Sequence, residues 1–220
     1  MELRSKMDKS PTASGFDLIA PIYDPLSRLV FGNALRKAQA HWLDQIPKNA
    51  AILVFGGGSG WLLARVLSGC APRKVIYIDV APAMIALSRE KVNNDSRVEF
   101  RIGTETSITA DDRVDAVLTP FILDLFTEDE LKNRLLPILY KSLNDNGLWL
   151  CADFAQPKTE WQRAIMWCQY RFFRILSHIS ADRLPNWQLL VTNLVLAEPQ
   201  QAASFFGGLV VSTYWRKSAD

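Results

Sequence analysis

The chain has 220 residues, a length that at about 150 residues per domain favours one full domain with an elaboration over two independent ones. Apolar residues make up 49%, an ordinary globular share, which excludes intrinsic disorder and leaves no need for disulfides or a metal to close the core. A formal net charge of +2 from scattered basic residues lacks the footprint of a nucleic-acid binder and points to a small-molecule partner.

Cys70, Cys151 and Cys168 are widely spaced with no C-x-x-C pair, and only His41 and His178 could add imidazole. That pattern offers neither a zinc-ligand spacing nor a disulfide framework, so no metal site is expected and the setting reads as reducing and cytoplasmic. The longest apolar runs, such as Ala50 to Phe55, fall far short of the ~20 residues a bilayer-spanning helix needs, and the start lacks a signal-peptide apolar segment. Residues 1–14 mix charged residues with Ser, Thr and Pro11 without a period and read as a mobile arm.

A helical segment follows, Tyr23 to Asp44, closed by Pro47. From Ala50 onward, short β-rich runs alternate with helical stretches, which predicts a parallel sheet wrapped by helices. Strands are expected at Ile52 to Phe55, Lys74 to Asp79, Val98 to Ile102, Val114 to Thr119 and Gly147 to Phe154, with helices at Gly60 to Leu67, Pro82 to Val92 and Glu128 to Leu143. Pro82 suits a first helical turn, Thr127 is a candidate N-cap with Glu130 three residues on, and Asn144 to Gly147 is a turn cluster ending the third helix. A long helix from about Thr159 to His178 comes next, then a break at Leu184-Pro185-Asn186. Two β-like runs, Leu194 to Glu198 and Leu209 to Trp215, are expected to pair antiparallel at the sheet edge.

The turn Phe55-Gly56-Gly57-Gly58-Ser59-Gly60 lies between a strand and a helix, where backbone must approach a ligand and aim amide groups at it. Asp79 ends the next strand, and a carboxylate there can accept both hydroxyl hydrogens of a ribose lying across the strand ends. Gly56, Gly57, Gly58, Gly60 and Asp79 together define a candidate adenosine site. The turn reads G-x-G-x-G, with Trp61 where a dinucleotide fingerprint has its third glycine, which argues against NAD. A short-chain dehydrogenase would need a Tyr followed four residues later by Lys. Tyr23, Tyr77, Tyr140, Tyr170 and Tyr214 are followed there by Ser27, Ala81, Asn144, Arg174 and Ser218.

These motifs resemble those of the class I S-adenosylmethionine-dependent methyltransferases, over about residues 16 to 216. Within them the chain is similar to the ubiquinone/menaquinone-biosynthesis group: Phe16-Asp17, Ala20 and Tyr23-Asp24 match its F-D-x-x-A-x-x-Y-D spacing, Phe31-Gly32 a following F-G, and Gly207-Gly208-Leu209-Val210 a late glycine-led strand. The resemblance implies an α/β, Rossmann-like three-layer sandwich with a mostly parallel seven-stranded sheet and an antiparallel C-terminal edge hairpin. It implies one domain over 15–220: a helical lid (15–47), a cofactor-binding core (50–154), and a substrate-side helix with edge strands (155–220). It also implies S-adenosylmethionine as cofactor, with Tyr23 folding over it, Met84 packing on adenine, and Thr104 or Glu105 reading the adenine amine. Two positions depart from the pattern. Val54 stands where most of the superfamily has an acid, and Trp61 where the quinone-pathway group has Asp, so the amino-acid end of the cofactor has lost common partners.

Thr119 to Asp124, directly after the fourth strand, should face the reacting methyl group, because the crevice lies at the carboxyl ends of the strands. Tyr23, Asp124 and Asp153 are candidate bases; a capping role for Asp124 and a strand-end polar role for Asp153 are the competing readings. On the Thr159 to His178 helix, Ala164, Cys168, Phe172, Ile175 and Ile179 form one apolar face, with Arg163, Trp167, Tyr170 and Arg174 opposite. The second face could pack under the N-terminal arm, cover a substrate pocket, or touch a membrane surface. The leading expectation is methyl transfer to a small, apolar or aromatic acceptor. The alternatives are a non-catalytic binding module on the same fold and an NAD(P)-binding oxidoreductase.

Overall fold

The computed structural model describes residues 13–177, 181 and 183–219. The sheet comprises β1 (Ala51–Phe55), β2 (Lys74–Asp79), β3 (Val98–Ile102), β4 (Val114–Pro120), β5 (Leu143–Phe154), β6 (Gln201–Phe205) and β7 (Val210–Arg216), in the order β3-β2-β1-β4-β5-β7-β6. The first five strands run parallel; β7 pairs antiparallel with both β5 and β6. The fold is the expected α/β sandwich.

Strand alternation builds the three layers. In β1, Ala51, Leu53 and Phe55 face one core, while Ile52 and Val54 face the other. The Val54 core is covered by Leu62, Leu63 and Val66 of α3 (Trp61–Gly69) and Ile85 of α4 (Pro82–Lys91). The Leu53 core is covered by Leu136 and Leu139 of α6 (Leu136–Ser142) and Trp187, Val191 and Val195 of α8 (Trp187–Val195). Each fully buried aliphatic side chain contributes about 1.5–3 kcal/mol relative to exposure, so β1, buried on both faces, anchors the whole sheet. In front lie α1 (Ala13–Phe31), α2 (Ala34–Ala40) and the long α7 (Glu160–Ser177), with α1 packed on both α4 and α7.

Thr127 and Glu130 form the anticipated capping box at the start of α5 (Glu128–Glu130). A π turn, Leu131–Leu135, then joins α5 to α6. Pro137 explains it, since proline has no N–H for the carbonyl of Asn133 and its ring crowds that carbonyl.

Four expectations need correction. Leu194 to Glu198 is not a strand: Leu194 and Val195 end α8, and the hairpin partner of β7 is Gln201–Phe205. Val195 is buried against Trp187 and the sheet, so its side chain serves a helix stripe. Asn144 to Gly147 does not separate helix from strand. β5 begins at Leu143, paired with Val114, and resumes at Leu148 opposite Ala116, so the cluster is a bulge with Asn146 in the left-handed region. The inward face of α7 is also different. Gln162, Met166 and Phe173 are buried, Tyr170 packs partly buried against the cores, and Ala164, Cys168 and Ile175 are exposed. Gln162 can be buried because its amide is used: Oε1 accepts from Lys158 N at 2.7 Å and Nε2 donates to the Gly207 carbonyl at 3.0 Å. Hydropathy alone could not foresee that. Finally, the helix expected over Tyr23 to Asp44 is two helices that break after Phe31, and α1 begins at Ala13, inside the expected arm. Residues 1–12, His178, Ile179 and the Tyr23 side chain lie outside the described residues.

Among the described residues, no helix is long and apolar enough to cross a membrane.

Candidate functional site

The strand order reverses between β1 and β4, and a cleft opens at their carboxyl ends, as open parallel sheets require. Its floor is the glycine turn. Gly58 N donates to Asp79 Oδ2 at 2.8 Å, and Ala81 N donates to Oδ1 at 3.0 Å, so Asp79 ties the turn to the end of β2. From below, the Tyr77 hydroxyl and Ser88 Oγ donate to the Gly58 carbonyl at 2.9 and 2.8 Å. Burial pushes the Tyr77 hydroxyl well up, which keeps it a donor, and pushes Asp79 above the usual carboxylate range against its backbone hydrogen bonds.

The glycines differ in their work. A Cβ on Gly57 would stand 2.2 Å from the Tyr77 ring, whereas one on Gly58, at φ +65°, would meet nothing within 4 Å. Gly58 is therefore the position where the turn opens to the cleft. Gly60, at φ +80°, has the backbone of Ser88 2.7 Å from a would-be Cβ, so it brings α3 against α4 and does not line the cleft, unlike Gly56, Gly57 and Gly58.

Met84, Thr104 and Glu105 also line the cleft. Glu105 is buried and its Oε1 lies 2.9 Å from Arg134 Nε, while Oε2 has no hydrogen-bond partner among the described residues. Thr119, expected here, is not part of the lining; it is buried and its hydroxyl accepts from Trp149 Nε1 at 3.1 Å. Pro120, Phe121 and Ile122 take its place, with Phe121 in the left-handed region at φ 53° and its ring 5.3 Å from that of Phe154. A non-glycine residue held there is a strained position of the kind that clusters at ligand sites.

Asp124 and Asp153 come together at the far end. Asp153 is fully buried and accepts from Leu123 N at 2.9 Å and Phe154 N at 2.7 Å. Asp124 lines the cleft and accepts from Gln169 Nε2 at 3.3 Å through Oδ2; among the described residues its buried Oδ1 has no hydrogen-bond donor. Burial pushes Asp124 up to about 7, and burial plus the neighbouring Asp124 charge push Asp153 well above its ordinary value. The two carboxyls behave as one proton-holding pair.

Sequence reasoning missed a second cluster. Asp24, on α1, accepts from Ser59 Oγ at 2.8 Å and lies 3.3 Å from Arg36 Nη2 and 3.7 Å from Lys91 Nζ. The Arg36 guanidinium sits over the Trp61 ring, 5.1 Å from its centroid. Asp24 belongs to the Tyr23-Asp24 motif; no local pattern marks Arg36.

Residues 52–147 match the family of methyltransferase domains, a stretch running from β1 through the glycine turn, Asp79 and Asp124 into β5. The fold is the Rossmann-like methyltransferase fold. Among solved structures, the complex between the Haloferax volcanii Trm112 methyltransferase activator and a protein described as a methyltransferase matches with TM-score 0.70 at 15% identity, over 93% of this chain and 98% of the other. The Burkholderia thailandensis 1,6-didemethyltoxoflavin-N1-methyltransferase, with bound 1,6-didemethyltoxoflavin and S-adenosylhomocysteine, matches with TM-score 0.66 at 17% identity, over 94% and 88%. The [4+2]-cyclase SpnF matches with TM-score 0.64 at 13% identity, over 96% and 98%. At such identities the likeness is one of fold. No curated protein matches the chain in sequence.

Proposed function

We propose that this chain binds S-adenosylmethionine in the cleft and transfers its methyl group to a small, apolar or aromatic acceptor. The observation that carries the reading is the Asp79 carboxylate fixed at the end of β2 by the Gly58 amide, beside a glycine open to the cleft. Each carboxylate oxygen keeps a lone pair for a ribose hydroxyl. The methyltransferase-domain match and the S-adenosylhomocysteine held by the Burkholderia enzyme support the same cofactor.

The residues fit that group. Asp79 would hold the ribose, Met84 would pack on adenine, and the free Oε2 of Glu105 would accept from the adenine amine. Bound there, the cofactor supplies an electrophilic methyl on a sulfonium, so the protein's task is placement, exclusion of water and handling of one proton. Phe121, Phe154 and Phe173 give the acceptor an apolar wall. Asp124 Oδ1 stands ready to accept the proton of an O–H or N–H acceptor, and Asp153 positions Asp124. The segment 15–47 acts as the lid over the cofactor, and the resemblance of its motif to the quinone-pathway group agrees with an apolar aromatic acceptor. A second reading, a non-catalytic binding module on the same fold, is supported by the cyclase SpnF, whose named activity is not methyl transfer.

Calorimetry with S-adenosylmethionine, S-adenosylhomocysteine, NAD and NADP tests the cofactor. Binding of the first two is expected, and Asp79→Ala should weaken S-adenosylhomocysteine at least about tenfold, the loss of a charge-assisted hydrogen bond. Equal affinities for the variant and the parent would overturn the ribose assignment, and binding of NAD alone would overturn the function. Transfer of radiolabelled methyl to an aromatic acceptor panel distinguishes catalysis from binding.

A further inference from the structure

Among the described residues, the two core positions at the amino-acid end of the proposed cofactor are not ionic. Val54 is fully buried among aliphatic side chains, and Trp61 presents an indole at the first residue of α3. The charges at this end of the cleft come from the front helices instead. Asp24 of α1 and Arg36 of α2 both line the cleft beside Ser59 and Trp61.

We infer that Arg36 is the receptor for the carboxylate of the cofactor's amino-acid end, positioned by Asp24 and Trp61. The assignment rests on the reading that S-adenosylmethionine occupies the cleft. Three observations carry it. Asp24 is pinned to the glycine turn by the Ser59 hydroxyl, so the guanidinium it holds at 3.3 Å is registered to that turn. A guanidinium has five N–H donors, and among the described residues Arg36 shows one polar contact, through Nη2 to Asp24, which leaves donors for a carboxylate in the planar geometry that suits arginine. The Trp61 ring, with its centroid 5.1 Å from Cζ, supports the group without consuming a donor.

Charge balance points the same way. Arg36 and Lys91 both approach Asp24 Oδ2, so the cluster carries one positive charge in excess, and an anion would neutralise it. The acid usually found at position 54 would serve an ammonium; this chain has moved its ionic recognition to the front helices and built it for a carboxylate. Trp61 then ceases to be a lost partner and becomes the support of a new one.

The test uses calorimetry on the full chain with two probes, S-adenosylhomocysteine and its decarboxylated analogue, 5′-S-(3-aminopropyl)-5′-thioadenosine, which keeps the adenosine, thioether and ammonium. The parent protein should prefer S-adenosylhomocysteine by at least about tenfold. Arg36→Met should remove most of that preference by weakening S-adenosylhomocysteine alone, Arg36→Lys should restore part of it, and Asp24→Asn should reduce it. If Arg36→Met weakens both probes equally, Arg36 is structural and the inference is overturned; an unchanged preference overturns it too. A parent protein that binds both probes equally overturns this assignment alone, whereas one that binds neither overturns the cofactor reading with it. Should Arg36→Met fail to fold, by circular dichroism, Arg36→Gln and Arg36→Lys carry the same comparison.

Discussion

The two ends of the cleft handle carboxylate charge in opposite ways. At the glycine turn, Asp24 has Arg36 and Lys91 within 4 Å. At the far end, Asp124 and Asp153 have backbone amides and one glutamine amide but, among the described residues, no cation; burial raises the hold of both on a proton, and the Asp124 charge raises that of Asp153 further. A compensated end is suited to holding a charged group in place; an uncompensated one is suited to exchanging a proton with whatever sits against it. The glycine-turn end also depends on backbone shape, while the far end is walled by side chains, and this contrast orders the expected effects of substitution.

The largest effect belongs to Gly57. A methyl group there would stand 2.2 Å from a Tyr77 ring that is completely buried and pinned by the Gly58 carbonyl and Ser88. Gly57→Ala should cost about 3 kcal/mol or more, because a well-packed core has no room to take up an added carbon. Gly58→Ala meets open space and should cost only the ~1–2 kcal/mol of a left-handed backbone. Urea denaturation of both variants checks the pair. Similar losses would mean that the turn moves as one body and that its backbone is not the rigid wall described.

Asp124→Asn comes next, and its effect depends on pH. Both carboxyls have folded pKa values raised above the ordinary 3.8, Asp124 to about 7, so the folded protein holds more protons than the unfolded chain across that interval. Stability from the pair is fully present below pH 4 and is lost as pH rises through 7. Removing Asp124 removes its share of that slope, while Asp153, raised first by its own burial, keeps its share. The variant should therefore gain about 1–3 kcal/mol relative to the parent between pH 5 and pH 8. This window avoids the Arg101–Asp112 ion pair, which holds Asp112 well below its usual range and whose stabilisation is lost only in stronger acid. A parent protein with no such slope would break the comparison at its far end.

What the sequence made legible were features that reside in consecutive residues. The glycine turn, the strand ending in Asp79, Pro82 at a helix start and the Thr127–Glu130 box each declare themselves within a few positions, and the β/α alternation set the layers around them. Partners far apart in the chain were invisible. Asp124 and Asp153 meet because β4 and β5 lie side by side and Phe121 N donates to the Ala152 carbonyl at 2.7 Å, a register no local pattern encodes. Arg36 and Trp61 meet because α2 lies over α3. The inward face of α7 is hidden for a related reason: a buried glutamine whose amide is satisfied by a backbone 45 residues away looks polar in sequence and is apolar in effect.

The smallest expected effect on stability is that of Asp24→Asn, and it tests the compensated end. The three charged side chains there are between about a quarter and two-fifths exposed, at 29% for Asp24, 27% for Arg36 and 36% for Lys91. Water therefore screens their mutual attraction, and ion pairs so placed contribute about 0–1 kcal/mol. The asparagine keeps an oxygen to accept from Ser59, so the tie to the glycine turn survives, and the two cations left behind can turn to solvent. A loss of no more than about 1 kcal/mol is expected, shrinking further in 1 M salt, where the screening length falls to ~3 Å. Thermal unfolding of parent and variant at low and high salt measures it. A salt-independent loss as large as that of Gly57→Ala would show that Asp24 is part of the rigid frame, and the division of the cleft into a compensated holding end and an uncompensated exchanging end would fail at the residue on which it most depends.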